Sequence, residues 1–362
     1  MTHPHPLPRR ALLGGGAALA ALAGGGCTSI GPTRLDRDQL DYARVIANSG
    51  KRQTLFNLVR LRFGEPPSFV AISQVVSGYT LQNTAQGNFQ VNPSGAINSF
   101  WALLGSTQFS DRPTFTLDPI TGERFVEAYM RPFAPASVLP LIDGGIPVDM
   151  LFRLMAQSVG SLQNTHPLGG PSRSGSPEFP QLLDWLRQLQ EGGALRVRVR
   201  RERDHTRVFV SFDTGRAPGL RSLAERVYRM LAVDPAAPEV EVIYGAQPSS
   251  ARAREIPVLT RSLLNVLYAV AAEIEIAPED VAAQRAPPTL REPGASRPVI
   301  RILSGDRAPA NTYAEVQVRD RWYWIEDTDY QSKLTFTILE LLKRIAEGGR
   351  GAAPPVLTIP TG

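Results

Sequence analysis

The chain is poor in the residues that most often carry catalysis and metal binding. Cys27 is its only cysteine among 362 residues, and only four residues are histidine. A single cysteine can form no disulfide within the chain, and no His-x-x-x-His spacing offers two metal ligands on one helix face. The sequence also lacks a Gly-x-Ser-x-Gly elbow, a phosphate-binding loop and a dinucleotide-binding glycine pattern. We therefore expect no catalytic site, no metal site and no cofactor.

Long apolar runs and a strong charge excess are also missing. After residue 26 no segment approaches the roughly 20 apolar residues that a helix needs to cross a bilayer. The chain has 39 basic and 34 acidic residues, and the balance is 37 against 34 without Arg9 and Arg10. Such a small excess gives no reason to expect a nucleic-acid partner. With 43% hydrophobic residues, the chain can bury a normal core.

The first 27 residues have the organisation of an export signal. Arg9 and Arg10 form a positively charged region, residues 11–23 form an uncharged apolar run, and three glycines precede Cys27. Small residues followed by a cysteine resemble a bacterial lipoprotein signal, although Gly24 stands where the usual pattern has leucine. The resemblance implies that the Cys27 thiol receives a diacylglyceryl group and that its new amino terminus is acylated by a fatty acid such as palmitate.

This leader also predicts where the protein is located. Two or more acyl chains attach a protein permanently to a membrane. Thr28, rather than an aspartate, follows the cysteine and resembles the sorting signal for the outer membrane, so we expect a lipid-anchored envelope protein that faces the periplasm. Two alternatives stay open: a plain secretory signal in which Cys27 has no role, and export by the twin-arginine route through Arg9 and Arg10.

The hydrophobic pattern predicts an α+β fold in two parts. We expect a signal peptide at residues 1–26, a lipid-anchored tether at 27–35, a mainly helical domain with a small sheet at 36–166, a linker at 167–177 and a second domain at 178–362. The linker is predicted from its proline, glycine and serine content. In the second domain, helices should pack on a largely antiparallel sheet.

Two periodicities predict the individual elements. Apolar residues at helical spacing predict helices at 36–63, 147–162, 179–190, 220–231, 258–274 and 332–346. Extended, largely alternating patterns predict strands at 195–200, 208–212, 240–244, 299–303, 313–318, 322–325 and 356–359. After residue 178, the order helix, strands, helix and strand occurs twice, which suggests an internal duplication.

Three groups of residues resemble a family of uncharacterised bacterial envelope lipoproteins. They are Asn57–Phe63 with Pro67–Phe69, then Ile146–Asp149, and finally Trp322–Asp327 with Ser332–Lys333. The likeness covers most of the chain after the leader. It implies an envelope location and a shared fold, and it implies no activity, cofactor or catalytic residue.

The first candidate binding surface is a row of arginines, the arginine stripe. Its members are Arg196, Arg198 and Arg200 on one predicted strand and Arg207 on the returning strand. Alternation places the first three on one strand face, where guanidinium groups suit phosphate or carboxylate. The alternative interpretation, which we favour, is a solvated strand face whose charges prevent pairing between sheet edges.

The second candidate surface is the tryptophan pair, Trp322 and Trp324. Alternation places both on one strand face, where they could stack on sugar rings or anchor a protein partner. We favour burial beneath the helix at 332–346 instead. We then interpret the acidic residues just before that helix as its amino-terminal cap; they are Glu326, Asp327 and Asp329.

Two arginines near the end of the first helix have a structural interpretation. Arg60 and Arg62 lie two residues apart, so they point to different sides of a helix and cannot form one clamp. We expect one of them to pair with a buried carboxylate or carbonyl group.

Two classes of function follow from these patterns. The first is a non-catalytic lipoprotein that binds an envelope protein partner as a scaffold or accessory component of an export or envelope assembly. The second is a periplasmic protein that binds or processes a glycan or lipid through the arginine stripe or the tryptophan pair. A pocket that joins those residues to His205 and a carboxylate would favour the second class. The pattern does not indicate an oligomeric state.

Overall fold

The structure is a computed structural model that describes most of the chain after the leader. The described residues are 31–76, 79–90, 100–111, 114–166, 175–203, 205–215, 217–245, 254–291, 297–348 and 356–358, and side chains are described from residue 40 onward except at 72–115 and 356–358. The predicted signal peptide and Cys27 lie outside these residues, as does most of the predicted linker.

The helices are named here in chain order. They are α1 Gly31–Arg62, α2 Gly122–Phe125, α3 Pro135–Val138, α4 Pro140–Asp143, α5 Val148–Met155, α6 Glu178–Glu191, α7 Pro218–Met230, α8 Leu263–Ala272, α9 Pro278–Ala282 and α10 Tyr330–Glu347, with a π-helical turn at Val126–Met130. Together with the strands below they form an α+β fold, as the pattern predicted.

The strands follow the same convention. They are β1 Val70–Val76, β2 Tyr79–Gln90, β3 Phe100–Asp111, β4 Thr114–Pro119, β5 Ala156–Val159, β6 Leu162–Gln163, β7 Leu195–Arg201, β8 Thr206–Phe212, β9 Val240–Tyr244, β10 Glu255–Thr260, β11 Leu303–Gly305, β12 Thr312–Val318, β13 Arg321–Glu326 and β14 Val356–Thr358. The strand order is β14-β1-β4 in one sheet, β6-β5-β10-β9-β8-β7 in the largest, and β11-β13-β12 in a third, while β2 and β3 form a hairpin.

The chain divides into two units, residues 1–52 and residues 53–362. The described part of the first unit is helical, so residues 31–35 of the predicted tether belong to α1. In the second unit, α1 continues to Arg62 and ends before Gly64, whose φ of 72° favours glycine. The helix predicted at 36–63 is therefore confirmed, and it runs through Gly50 without a break.

The six-stranded sheet crosses the predicted division at residues 167–177. Strands β5 and β6 precede these residues, yet β5 pairs antiparallel with β10, which follows them. A single cluster of buried side chains also includes Leu151 in α5 and Leu182 in α6. The residues assigned to two domains therefore share one sheet and one core, because β5 lies between β6, which precedes the predicted linker, and β10, which follows it.

Two predicted helices are each partly strand. The segment predicted as a helix at 147–162 is helical only in α5, and β5 begins at Ala156. The segment predicted at 258–274 begins inside β10, and α8 starts only after Ser262, whose side chain accepts a hydrogen bond from the Asn265 N–H. Both apolar runs combine a buried strand with a buried helix, and periodicity does not separate the two.

The predicted sheet is largely antiparallel, and the structure agrees. Within the six strands, the parallel pair is β9 with β10. The strand pairing, however, does not show the suggested internal duplication. In the first round β9 joins the β7–β8 hairpin beside β8, whereas in the second round β14 pairs with β1 and not with the β12–β13 hairpin.

The core of the second unit lies where α5, α8 and α10 contact one another. Its fully buried side chains include Leu58, Leu151, Val266 and Leu339. Burial of one such side chain contributes about 1.5 to 3 kcal/mol. Among the described helices, none is long and apolar enough to traverse a lipid bilayer.

Candidate functional site

The arginine stripe lies at an edge of the six-stranded sheet. Strand β7 is the last strand of this sheet, and Arg196, Arg198 and Arg200 are exposed while Leu195 and Val197 are buried. The predicted alternation is therefore confirmed from Leu195 to Arg198, whereas Val199, expected on the core face, is 44% exposed. Arg207 lies directly opposite Arg200 on β8, so the structure brings the four predicted arginines onto one hairpin.

Two of these arginines are neutralised by carboxylates. The Arg200 guanidinium donates a hydrogen bond to Glu239 at 2.8 Å, and its other terminal nitrogen lies 2.7 Å from the second carboxylate oxygen. Arg207 forms a similar fork with Glu241 and also pairs with Glu202 at 3.4 Å. The hydrogen bonds from Glu241 raise the pKa of Arg207 above its ordinary value. Half of the stripe therefore forms ion pairs within the protein.

The same two guanidinium groups cover an aromatic ring. The Cζ atoms of Arg200 and Arg207 lie 4.5 and 5.2 Å from the centroid of the Phe209 ring. Phe209 is on the solvent side of β8, yet only 8% of it is exposed. Cation–π attraction and the apolar stems of the arginines hold this part of the surface in place.

The other arginines of the hairpin are exposed. Within the described residues, Arg196 and Arg198 have no ion-pair partner, and the same is true of Arg201 and Arg203 at the hairpin's tip. The sequence reasoning omitted Arg201 and Arg203 because it followed the period of two and stopped where the strand pattern ended. The density of arginine between residues 196 and 203 was the signal that included them.

The outer edge of β7 is partly capped. The backbone N–H of Val197 points away from β8 and donates to the Asp143 carboxylate at 3.3 Å. Asp143 ends α4, which contacts β7. A carboxylate on an edge N–H group removes one of the positions at which another strand would pair.

The tryptophan pair lies on the face of β13 that points away from the core. Tyr323 and Ile325 are completely buried, and Trp322 and Trp324 alternate with them and are half-buried. The expected burial of the pair beneath the helix at 332–346 is therefore not found, since the completely buried positions of β13 are Tyr323 and Ile325. Tyr323 lies opposite Val316 and Ile325 lies opposite Ala314, so these four side chains share one face of the sheet.

Trp324 is packed against the neighbouring strand β11. A Cβ atom at Gly305 would approach the Trp324 ring to 3.1 Å, so glycine is what allows the indole to lie across this strand. The indole N–H is buried and has no acceptor among the described residues. Trp324 is therefore part of the packing of this small sheet, and Trp322 is the more accessible candidate for contact with a ligand.

Of the three acidic residues before α10, Asp329 forms the predicted cap, whereas Asp327 pairs with Lys333 and Glu326 with Arg301. The Asp329 carboxylate accepts hydrogen bonds from the backbone N–H and the hydroxyl of Ser332 at 3.1 and 2.7 Å. Arg297 donates to both Asp329 oxygens at 2.9 and 2.7 Å. Burial acts to raise the Asp329 pKa, but the bonds from Arg297 and Ser332 outweigh it and hold the pKa below its ordinary value.

A cleft that the sequence did not indicate lies between α5 and α8. It encloses about 320 Å³ of empty space, open solvent at its mouth included, and its lining includes Asn164, Arg261 and Glu273. The Arg261 guanidinium donates to the carbonyl oxygens of Arg153 at 2.9 Å, Leu154 at 3.1 Å and Thr165. The lining of this cleft includes none of the arginines of the stripe and neither tryptophan of the pair.

The other polar groups of this cleft are also used by the backbone. The Asn164 amide donates to the carbonyl oxygens of Arg153 and Ala156 at 3.1 and 2.8 Å. The Glu273 carboxylate accepts from the Val299 N–H at 2.5 Å. These hydrogen bonds connect the ends of α5, β5 and α8, so the polar groups that line the cleft have a structural role.

A second buried arginine fulfils the expectation for the end of α1. Arg62 donates to the carbonyl oxygens of Ile274 at 3.3 Å and Pro287 at 2.6 Å. Burial lowers the Arg62 pKa to about 10. Arg60 instead pairs with Glu65 at 3.3 Å near the surface.

His205 belongs to the turn of the arginine-rich hairpin. His205 is exposed in the turn between β7 and β8, where its carbonyl oxygen accepts from the Glu202 N–H at 2.8 Å. In the part of the chain that the structure describes, no three histidine, cysteine or acidic residues come together as a metal site.

A buried tyrosine and carboxylate were also missed by the sequence reasoning. The Tyr129 hydroxyl donates to Glu347 at 2.5 Å, and Tyr129 is fully buried between the rings of Phe69 and Phe125. Burial, together with the Glu347 charge, raises the Tyr129 pKa. Because the hydroxyl is inaccessible, this contact joins α10 to the π-helical turn and is not a site for a substrate.

The fold and these surfaces define an α+β protein with an arginine-rich hairpin exposed at the edge of its largest sheet. Comparison with known proteins adds no relative: no family model matches the chain, and no curated protein or solved structure matches it.

Proposed function

We propose that the protein is an exported lipoprotein, anchored through Cys27, that binds a partner in the cell envelope as a scaffold or accessory component. The observation that carries the proposal is the leader, in which two arginines, a short apolar run and three glycines precede the only cysteine. The sequence resemblance to envelope lipoproteins points to the same location. Outer-membrane sorting through Thr28 belongs to this proposal.

The geometry of the body supports binding rather than chemistry. The arginine stripe lies on an open sheet face, and half of it is already paired with Glu239 and Glu241. The lining of the cleft between α5 and α8 includes neither the stripe nor the tryptophan pair nor His205. The exposed surface of the stripe is therefore the better supported candidate for binding a partner.

Lipidation is tested by metabolic labelling of the wild-type protein and of Cys27→Ala with a radioactive or clickable fatty acid. We expect label in the wild type and none in the variant, since no other cysteine can accept a diacylglyceryl group. Absence of label in the wild type would contradict the proposal at its base.

Partner binding is tested by crosslinking and co-purification of the intact lipoprotein from membranes. We expect a specific envelope protein with the wild type and its loss with Cys27→Ala, because the anchor holds the body beside its partner. Recovery of no specific protein, together with activity on an envelope glycan, would refute the binding function.

A second candidate, glycan binding, is favoured by one observation. Trp322 is half-buried on the face of β13 that points away from the core, and an indole on a sheet face can stack on a sugar ring. Titration of envelope glycan fragments against Trp322→Ala and the wild type, followed by intrinsic fluorescence, tests it. Equal responses of both proteins would eliminate this candidate.

A further inference from the structure

The positive charge of this protein is concentrated in one hairpin. After residue 26, the chain has 37 basic and 34 acidic residues, an excess of three. Residues 195–212, the basic hairpin, contain six arginines against Glu202 and Asp204, an excess of four. The rest of the chain after the leader therefore carries one more acidic than basic residue, and the hairpin alone makes the body basic.

Much of this charge is exposed to solvent. Arg200 and Arg207 are held by Glu239 and Glu241, whereas the four other arginines are exposed and lack an ion-pair partner among the described residues. A surface of this kind can form several bidentate contacts with anionic oxygens without breaking an existing pair.

We propose that the basic hairpin docks the body onto anionic phospholipid headgroups of the membrane to which Cys27 is attached. The inference rests on the proposed lipid anchor, which keeps the hairpin at high effective concentration beside the bilayer, so that weak contacts suffice. Phosphate oxygens complement the guanidinium geometry, and each arginine near an anionic surface adds a modest attraction. Lipid docking would fix the orientation in which the rest of the body meets its protein partner.

The test uses the acylated full-length protein reconstituted in vesicles. In that protein Cys27 is alkylated, so His205→Cys, in the exposed turn of the hairpin, introduces the one reactive thiol. A donor fluorophore on this thiol and an acceptor on lipid headgroups report their separation by energy transfer. Vesicles of phosphatidylcholine alone are compared with vesicles that contain about one third phosphatidylglycerol, the anionic lipid.

We expect higher energy transfer on the anionic vesicles and a decline with added salt, because the attraction is electrostatic. Arg196→Gln with Arg198→Gln should lower the docked-to-undocked ratio by about fivefold for each arginine removed. The matched control is Arg221→Gln with Arg226→Gln on α7, which removes the same charge from exposed positions outside the hairpin and should leave the transfer unchanged. Circular dichroism and thermal unfolding verify that both variants fold.

Three outcomes would overturn the proposal. Equal transfer on both kinds of vesicle means that the hairpin does not dock on anionic lipid. Equal loss in the control means that total charge, and not this hairpin, is responsible. Loss of docking on addition of inorganic phosphate at constant ionic strength indicates a site for a phosphate group rather than a bilayer surface.

Whether Cys27 is lipidated is determined separately from whether the hairpin docks on lipid. Mass spectrometry of the purified protein shows whether Cys27 carries acyl chains before any vesicle is used. If it does not, the proposed function fails, and docking is then measured as binding of the unacylated protein to the same two kinds of vesicle, with the same variants.

Discussion

Two groups of arginines show how differently this protein uses one residue type. Arg62 and Arg261 are 3% and 2% exposed, and their guanidinium groups donate to backbone carbonyl oxygens. Arg196 and Arg198 are exposed at the edge of β7 and have no ion-pair partner among the described residues. The first pair connects segments distant in sequence, and the second pair is available to a ligand.

The difference follows from where each side chain meets the backbone. A buried guanidinium is costly unless most of its N–H groups find acceptors, and several acceptors here are carbonyl oxygens at or just beyond the carboxyl ends of α5 and α8. An exposed guanidinium is hydrated and needs no such partner. The buried arginines should therefore determine stability, and the exposed ones should determine binding.

Arg261→Met should have the largest effect on stability. The change keeps much of the side-chain volume but leaves the carbonyl groups of Arg153, Leu154 and Thr165 without this donor. We expect a loss of about 3 kcal/mol or more in the free energy of unfolding, measured in urea. Arg198→Met is the matched control at an exposed position, and equal losses in the two variants would break the comparison.

Arg62→Met should have the next largest effect. It removes the donor to the carbonyl oxygens of Ile274 and Pro287, and we expect a loss of about 2 kcal/mol. The same urea titration measures it. A loss below that of an exposed arginine would mean that these carbonyl groups are satisfied in another way.

Asp329→Asn sharpens the comparison with a partly buried ion pair. Because the Asp329 pKa is below its ordinary value, the carboxylate stabilises the fold fully above that ordinary value and loses this contribution as the pH falls below about 4. We expect the variant to lose about 1 kcal/mol at pH 6, with the difference shrinking at pH 3. If the difference in stability between the wild type and the variant does not change with pH, the negative charge of Asp329 is not what stabilises the fold.

Glu241→Gln tests the paired half of the stripe. The Arg207 side chain is 42% exposed, so this ion pair should contribute little to the free energy of unfolding, and less at high salt. Chemical denaturation by urea at low and high salt measures it. A larger loss in the free energy of unfolding that does not depend on salt would show that Arg207 contributes to stability as the buried arginines do.

Arg196→Gln with Arg198→Gln should have the smallest effect on stability. Surface changes away from caps and cores alter the free energy of unfolding by less than about 0.5 kcal/mol. Thermal unfolding at neutral pH checks this expectation. A clear destabilisation would show that the free arginines have a structural role, and it would weaken the lipid-docking proposal.

Much of the second half of the fold was predictable, and the failures have a common cause. The strands β7, β8, β9, β12 and β13 and the helices α6, α7 and α10 follow their periodicity. The strands β5 and β10 were both read as parts of helices, and they pair with each other. Each is a short apolar segment beside a helix, so only the presence of its partner separates strand from helix.

The surfaces divide in the same way. Alternation places the arginines of β7 outside the core and the two tryptophans together on one face of β13. An acidic residue before α10 predicts the cap of that helix. These features are predictable because they depend on neighbours only a few residues away. Which face of β13 is buried, which arginines meet carbonyl groups and which acids neutralise the stripe depend on residues brought together from distant parts of the chain. Local sequence determines the direction of a side chain, and only packing determines what that side chain meets.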